Sequence, residues 1–228
     1  MIKTLLFDFD GLIVDTELHE FQIWQMIYQE FQCELTMEQW AACVGGTLEH
    51  FDPYVHLETL LDRPIEREVI RERTHRLSLE GSQTLPSLPG VESYLAEARR
   101  LGLKLGLASN SPREWVMGHL ERLGLHTYFD NGRFRDDVTH RKPHPELYLS
   151  ILEALETPAH EAIALEDSSH GVSAAQQAGI FCVAVPNTIT MLHSLDHADL
   201  RLQSMADMPL SDLIAEVENR RQKAIKAR

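Results

Sequence analysis

Cysteine is scarce in this chain, and so are long apolar runs. The three cysteines, Cys33, Cys43 and Cys182, form no CxxC pair and leave an odd thiol, which is not the pattern of a disulfide framework or a cysteine zinc site. The apolar stretch at the N-terminus is interrupted by Asp8 and Asp10, and no run reaches the roughly 18 apolar residues of a membrane span. We therefore expect a cytoplasmic protein with no signal peptide and no membrane partner.

Basic residues are also few relative to acidic ones. Lys and Arg number 21 against 35 Asp and Glu, which gives a formal net charge of −14. A field of that sign repels the phosphates of nucleic acids, so we expect no nucleic-acid partner. An anionic small molecule could bind such a protein only beside a local positive group, such as a metal ion, a lysine or a helix N-terminus.

Length and composition are those of an ordinary globular chain. The 228 residues, 43% hydrophobic and 25% charged, correspond to one large domain or to a core that carries an insertion. Nothing in the sequence requires association, so we expect a monomer in preference to an obligate oligomer.

Four short apolar runs alternate with helical patterns along most of the chain. The runs lie at residues 2–9, 103–108, 162–165 and 181–185, and their continuous apolar character is typical of parallel strands covered on both faces. Apolar residues at helical spacing separate them, and a last amphipathic helix is predicted over 210–228. The alternation predicts an α/β fold, a doubly wound, Rossmann-like parallel sheet.

The segment 16–85 departs from this alternation. It contains apolar residues at helical spacing and no convincing strand, which predicts an all-helical insertion. We therefore predict a catalytic core made of residues 1–15 and 86–228 and a helical cap domain made of residues 16–85.

Two carboxylates, Asp8 and Asp10, stand at alternate positions where the first predicted strand ends, next to Gly11. In α/β sheets, ligands bind at the carboxyl ends of the strands. Like charges so close together repel unless a cation or hydrogen bonds compensate them, which favours a metal. An ordinary polar strand end is the alternative.

The second candidate, Ser109 and Asn110, follows the second strand. Ser111 and Glu114 fit a capping box with Pro112 at the first helical position, so a helix N-terminus is predicted here. Free backbone N–H groups at such an end bind anions. A plain capped helix remains the alternative at this point.

Lys142 and the pair Glu166–Asp167 complete the set of candidates. Lys142 stands in a turn before a predicted helix, and the acidic pair ends the third predicted strand. A lone lysine is usually solvated, and a strand end is usually polar, so neither feature indicates a site by itself. Together with the first two candidates, however, these residues converge on one edge of the predicted sheet, and this convergence favours a functional site.

In this order the residues resemble the four motifs of the haloacid dehalogenase superfamily. The matching stretches are Asp8-Phe9-Asp10-Gly11-Leu12-Ile13-Val14-Asp15-Thr16-Glu17, Ser109-Asn110-Ser111, Lys142-Pro143 and Glu166-Asp167-Ser168. The later motifs are weak alone, but the ordered set is specific and covers nearly the whole chain. The chain is most similar to the beta-phosphoglucomutase-like phosphatases, whose helical cap is inserted between the first two motifs.

The resemblance implies a role for each candidate. Asp8 would attack phosphorus to give an aspartyl-phosphate, and Asp10 would act as general acid and then as general base. Mg²⁺ would be the cofactor, held by Asp8, Asp10, Glu166 and Asp167. The phosphorylated substrate would be bound by Ser109, Asn110 and Lys142, with Glu17 as the contact from the cap.

Hydrolysis of a sugar or polyol phosphate is the reaction that we expect. In the similar mutases a histidine occupies the position of Glu20, whereas here the histidine is His19, one residue early. The mutases also carry a cap cation, and the corresponding stretch 44–49 has none. A beta-phosphoglucomutase-type phosphomutase is the alternative, and a non-catalytic sensor of phosphorylated metabolites is a third reading that the intact acidic motifs disfavour.

Overall fold

The computed structural model describes residues 1–42 and 51–226, with side chains up to residue 223. Cys43 and the stretch 44–49, on which part of the mutase comparison depends, lie outside the described residues. Cys33 and Cys182 are free thiols. Among the helices of the described residues, none has the length and apolar content needed to cross a membrane.

A six-stranded parallel sheet forms the centre of the molecule, which confirms the predicted α/β class. Its strands follow the order β3-β2-β1-β4-β5-β6. The strands are β1 Thr4–Phe7, β2 Lys104–Ala108, β3 Asn131–Arg133, β4 Ala162–Glu166, β5 Phe181–Ala184 and β6 Leu200–Arg201. The four apolar runs are the four inner strands. The edge strands β3 and β6 escape sequence reasoning because the first reads Asn-Gly-Arg and the second has two residues.

Helices cover both faces of the sheet. They are α5 Val91–Arg100, α6 Arg113–Leu123, α7 Glu146–Ala154, α8 Ser169–Gln177 and α9 Leu210–Lys226. Leu5 and Phe7 of β1 pack in one apolar layer with residues of α5, α6 and α9, whereas Leu6 packs in the other with α7 and α8. The alternation of side chains along a strand therefore makes the sheet doubly wound.

Close packing of α7 on the sheet depends on a glycine. A Cβ atom on Gly106 of β2 would lie 2.7 Å from Leu6, 2.8 Å from Leu155 and 3.0 Å from Ile151. Side chains cannot approach so closely, so a larger residue at position 106 would push α7 away. Because Lys142 lies just before this helix, the glycine helps to fix the loop that carries it.

Four further helices form a separate apolar unit between β1 and α5. They are α1 Thr16–Glu30, α2 Met37–Ala41, α3 Pro53–Leu61 and α4 Arg67–Ser82. Their buried side chains form what we term the cap cluster: Phe21, Trp24, Ile27, Tyr28, Leu35, Trp40, Ala41, Leu57, Ile70 and Ile189. Only Ile189 of this set comes from the sheet part of the chain, from the loop after β5.

The chain leaves and re-enters the sheet part at neighbouring points. An isolated antiparallel bridge pairs Val14 with Ser87, and the Leu88 N–H donates to the Ile13 carbonyl at 2.8 Å. Asp15 then begins α1 by accepting the Leu18 N–H at 3.1 Å. Both crossings thus run side by side, directly beneath the first helix.

The chain reverses its direction of travel across the sheet beside β1. It runs from β1 outward to β2 and β3, and then returns to place β4 on the opposite side of β1. A crevice opens at such a point between the carboxyl ends of the two strands. Asp8 directly follows β1, and Glu166 ends β4, so both acidic motifs flank this crevice.

Candidate active site

A cavity of about 820 Å³ opens at the carboxyl edge of the sheet, below α1. Seven of the eight residues predicted for the site line it, and the eighth, Glu166, lies fully buried beneath it. The seven are Asp8, Asp10, Glu17, Ser109, Asn110, Lys142 and Asp167. The structure therefore brings residues from four separate loops and the first helix to one place.

Lys142 is the positive centre of the site. Its buried Nζ donates to Asp8 Oδ1 at 2.8 Å and to Glu166 Oε1 at 2.5 Å. Burial alone would lower the pKa of the Lys142 ammonium, but the charges of Asp8 and Glu166 outweigh it and raise that pKa above its usual range. Lys142 is therefore charged, and it holds two carboxylates of different strands at fixed positions.

Glu166 is held from a second side by Tyr148 of α7. The Tyr148 hydroxyl donates to Glu166 Oε1, and both side chains are fully buried. Burial raises the pKa of Glu166 to about 7, against the opposing charge of Lys142. Sequence reasoning missed Tyr148, although a hydroxyl on the apolar face of a helix is a signal, because a buried phenol needs a partner.

Three donors surround the carboxylate of Asp10. Thr16 Oγ1 and Trp115 Nε1 donate to Oδ1 at 3.0 and 2.9 Å, and Ser111 Oγ donates to Oδ2 at 2.6 Å. Burial nevertheless raises the pKa of Asp10, with the charge of Asp8 adding to the effect. An aspartate held in one orientation and shifted towards its protonated form is suited to give a proton away.

The predicted capping role of Ser111 is wrong. Helix α6 begins at Arg113, Pro112 is its extended N-terminal neighbour, and no side chain of the predicted box caps it. The Arg113 N–H instead donates to Asp136 at 2.9 Å. Ser111 fits a capping pattern in sequence, but its hydroxyl donates to Asp10 Oδ2 at 2.6 Å instead.

The second motif positions the loop of Lys142. Asn110 Oδ1 accepts the Lys142 N–H at 3.0 Å, and Asn110 Nδ2 donates to the Lys142 carbonyl at 3.4 Å. Ser109 is buried, and its Oγ accepts the Ser111 N–H at 3.0 Å. The Asn110 amide thus pairs with the main chain on both sides of Lys142, which fixes where the lysine emerges.

Asp167 completes an acidic cluster that fits a hard metal ion. Carboxylate oxygens of Asp8, Glu166 and Asp167 lie within 4.8 Å of one another, and all three residues are buried. Glu166 Oε2 is buried with no hydrogen-bond partner. Burial raises the pKa of Asp167, with the charges of Asp8 and Glu166 adding to it. Oxygen-only ligands that repel one another are the donor set of Mg²⁺ and similar cations.

The side of the cavity formed by α1 is acidic too. Glu17 and Glu20 both line it, and Glu20 accepts a hydrogen bond from Ser78 of α4. Burial raises the pKa of Glu17 to about 8, with the charges of Asp10 and Glu20 contributing. His19 is not among the lining residues, and its ring packs where a Cβ of Gly81 would stand.

Comparisons with known proteins show the family of the chain. A family model described as haloacid dehalogenase-like hydrolase matches residues 5–185. "Putative phosphatase YhcW" of Bacillus subtilis (strain 168) is 41% identical over 214 residues, or 94% of this chain and 97% of the relative. "Phosphorylated carbohydrates phosphatase" of Thermotoga maritima is 30% identical over 206 residues, or 90% and 92%.

A solved structure shows the same fold. The crystal structure of beta-phosphoglucomutase from Clostridium difficile aligns with a TM-score of 0.72, over 96% of this chain and 98% of that one, at 24% identity. The sheet and the inserted helices are therefore features that the two chains share.

Proposed function

The chain belongs to the haloacid dehalogenase-like hydrolase family and is a phosphatase, and on that premise we propose that it hydrolyses monophosphate esters of small carbohydrates or polyols. The observation that carries the proposal is the pair of aspartates at one sheet edge, with Asp8 bound to Lys142 and Asp10 held by three donors. Such a pair supplies a nucleophile and a proton shuttle.

The first step transfers the phosphoryl group to Asp8. A carboxylate oxygen of Asp8 attacks phosphorus, the bond between phosphorus and the ester oxygen breaks, and Asp10 gives its proton to the departing oxygen. An aspartyl-phosphate and a free alcohol result. The raised pKa of Asp10 supports this acid role, because it favours the protonated form from which a proton can pass to the leaving oxygen.

Water completes the cycle. Asp10, now a carboxylate, takes a proton from a water molecule as its oxygen attacks phosphorus, the bond to Asp8 breaks, and inorganic phosphate leaves. Ser109 and Lys142 would bind the phosphoryl oxygens in both steps, and Lys142 Nζ is 2.8 Å from Asp8 Oδ1, close to where charge develops.

Mg²⁺ would be held by the carboxylates of Asp8 and Asp167, by the Asp10 carbonyl and, directly or through water, by Glu166. When bound, the ion would neutralise charge on the phosphoryl group opposite Lys142. The close approach of the three buried acids and the unpartnered Glu166 Oε2 support this assignment. Lys142 keeps its own two carboxylate partners and would supply a second positive charge to the site.

Two features favour a carbohydrate monophosphate as the substrate. The relative from Thermotoga maritima is named for phosphorylated carbohydrates. The described lining contributed by α1 is Thr16, Glu17 and Glu20, which offers acceptors for hydroxyl groups and no cation for a second phosphate. The same absence in the described lining of α1 favours hydrolysis over the phosphomutase reaction, which uses a bisphosphate.

We also propose that residues 16–85 act as a cap on the core formed by residues 1–15 and 86–228. The side-by-side crossings at Val14 and Ser87 support a hinge there. Closure would bring α1 over the substrate and exclude bulk water before transfer, and opening would release the product.

The test is phosphate release from a panel of sugar, polyol and nucleotide monophosphates, with Mg²⁺ or with EDTA. Asp8→Asn should lower turnover by about 10⁴-fold or more, because the nucleophile is lost. Asp212→Asn, at an acid on the distant helix α9, is the matched control and should be as active as the wild type. Retention of most activity by Asp8→Asn would remove Asp8 as the nucleophile.

Two other outcomes would redirect the proposal. Conversion of a hexose 1-phosphate to the 6-phosphate in the presence of a bisphosphate primer would indicate the phosphomutase. Tight Mg²⁺-dependent binding of a phosphorylated metabolite, with no phosphate release from any compound, would indicate a sensor.

A further inference from the structure

Asn187, in the loop after β5, contacts the acidic site and was not singled out by sequence reasoning. The residue is buried, with 7% of its surface exposed. Its Nδ2 group donates one hydrogen bond to Asp167 Oδ2 at 2.8 Å and another to the Gly11 carbonyl at 3.1 Å. Both protons of the amide are therefore used on the two acidic motifs.

Gly11 shows how tightly this contact is built. A Cβ atom at position 11 would lie 2.4 Å from Asn187 Nδ2 and 2.4 Å from Asp167 Oδ2, and the backbone there has φ +80°. The turn after Asp10 can therefore approach Asp167 only because residue 11 is a glycine. Asn187 fills the gap between the two motifs and fixes which way the Asp167 carboxylate faces.

The other end of the amide holds its own loop. Asn187 Oδ1 accepts the N–H groups of Ile189 and Thr190, both at 2.9 Å, and the Asn187 N–H donates to Thr190 Oγ1 at 3.0 Å. Three contacts within one short turn, with the two made by Nδ2, leave the side chain a single orientation. A shift of this loop would therefore move the Nδ2 group of Asn187 with it.

The same loop is anchored in the cap cluster. Ile189 is fully buried among the aromatic side chains of α1 and α2. His193 contacts the α2 carbonyl of Ala41 through Nε2 at 2.7 Å. A displacement of the helices α1–α4 would therefore pull on Ile189, two residues from the amide that holds Asp167.

We propose that Asn187 is a positioning residue for the metal-binding carboxylate of Asp167, and that the loop 186–193 couples the affinity for Mg²⁺ to the packing of the cap cluster. The inference rests on the proposed metal site. Coupling between two sites is reciprocal. A bound ion would therefore stabilise the packing of Ile189 in the cap cluster by the same free energy by which that packing stabilises the bound ion. If Asn187 only stabilised its own loop, its Nδ2 group would not need to donate hydrogen bonds to both Gly11 and Asp167.

The first experiment titrates Mg²⁺ into the substrate-free protein by calorimetry. Asn187→Ala should bind Mg²⁺ at least about tenfold more weakly than the wild type, because Asp167 loses the donor that orients it. Asp167→Asn gives the reference for a lost ligand. Equal affinity in Asn187→Ala and the wild type would overturn the positioning role.

The second experiment tests the coupling with cap-cluster variants. Ile189→Ala should weaken Mg²⁺ binding about threefold, and the milder Ile189→Val should weaken it in the same direction. Val217→Ala, a truncation of α9 in a different apolar layer, should keep the affinity of the wild type. If both Ile189 variants bind like the wild type, or if Val217→Ala weakens binding as much as they do, the coupling is wrong.

Hydrogen exchange gives a readout that does not depend on activity. Mg²⁺ should slow exchange of the α2 amides, Met37–Ala41, in the wild type and not in Asn187→Ala. Equal slowing in both proteins would contradict the link through Asn187. If the wild type binds no better than Asp167→Asn, the proposed metal site itself fails and this inference fails with it, whereas tight wild-type binding separates the two questions.

Discussion

The two sides of the cavity are built differently. On the sheet side the proposed reacting groups have fixed partners: Lys142 pairs with Asp8 and Glu166, and Asn187 holds Asp167. On the α1 side, the carboxyl group of Glu17 has other acids as its electrostatic neighbours. These groups of the sheet side are therefore organised before any ligand arrives, whereas Glu17 faces acids that oppose its charge.

This difference separates chemistry from selection. Groups that stabilise a transition state act best when they are already in place, because no reorganisation is then needed during the reaction. Groups that distinguish one alcohol from another need only to contact the leaving part of the substrate. Changes on the sheet side should consequently lower turnover for every substrate, and changes on the α1 side should reorder the substrates.

After the loss of Asp8, the largest effect should come from Asp10 on the sheet side. Asp10→Asn keeps the shape and the backbone carbonyl but removes the proton donor, so we expect kcat on a sugar phosphate to fall by about 10²–10⁴-fold. An aryl phosphate with an acidic phenol needs no proton on its leaving oxygen, so the loss in its first step should be smaller. Single-turnover release of the alcohol or phenol measures that step.

An equal loss of activity with both esters would contradict the proton-donor role of Asp10. That result would mean that Asp10 shapes the site and does not transfer a proton. Binding of Mg²⁺ to Asp10→Asn should remain close to that of the wild type, since only the carbonyl of residue 10 is assigned to the ion.

A smaller effect is expected from Glu20 on the α1 side. Glu20→Lys places a cation where a second phosphate would stand, so kcat/KM for a sugar bisphosphate relative to the monophosphate should rise about tenfold, or about 1.4 kcal/mol. Glu20→Gln removes the charge alone and should raise that ratio less. Because both substrates are measured with the same variant, a loss of active protein does not change the ratio.

An unchanged ratio in Glu20→Lys would contradict the claim that the α1 side selects the substrate. Glu20 would then be a structural partner of Ser78, with which it shares a hydrogen bond between α1 and α4. The free energy of unfolding of the two Glu20 variants distinguishes that role, because Glu20→Lys loses the acceptor for Ser78, whereas the amide oxygen of Glu20→Gln can still accept its hydrogen bond.

Much of the sheet side could be predicted from local sequence patterns. An apolar run predicts a buried parallel strand, and the first polar residues after it mark the end of the strand, as at Asp8 and Glu166. Since the carboxyl ends of parallel strands share one edge, residues far apart in sequence could be expected together. The structure places Asp8, Asp10, Lys142 and Asp167 in one cavity.

The supporting residues could not be predicted in the same way. Trp115 reaches Asp10 over a separation of 105 residues, and Asn187 reaches Gly11 over 176. No local pattern encodes such contacts, because they depend on how loops pack once the sheet has formed. Ser111 shows the converse: a good local capping pattern was overridden by a hydrogen bond to Asp10, 101 residues away.

The last prediction concerns the stability of the α1 side instead of its activity. The pKa of Glu17 is about 8 in the folded protein and about 4.5 when the residue is solvated, because burial and neighbouring acids oppose its charge. The folded state therefore holds a proton that the unfolded state has lost between these two values. This contribution to stability is complete below pH 4.5 and is lost as the pH rises through 8.

Glu17→Gln removes that titration while it keeps the side-chain shape. With EDTA present, the free energy of unfolding of Glu17→Gln minus that of the wild type should grow as the pH rises from 5 to 8, by up to about 3 kcal/mol. Denaturant unfolding at several pH values measures it. A difference that stays constant over this range would mean that Glu17 is ionised in the folded protein, and hence that the α1 side is solvated in the manner of an exposed surface. A difference that grows would place Glu17, before any ligand binds, as a neutral hydrogen-bonding group facing the charged sheet side.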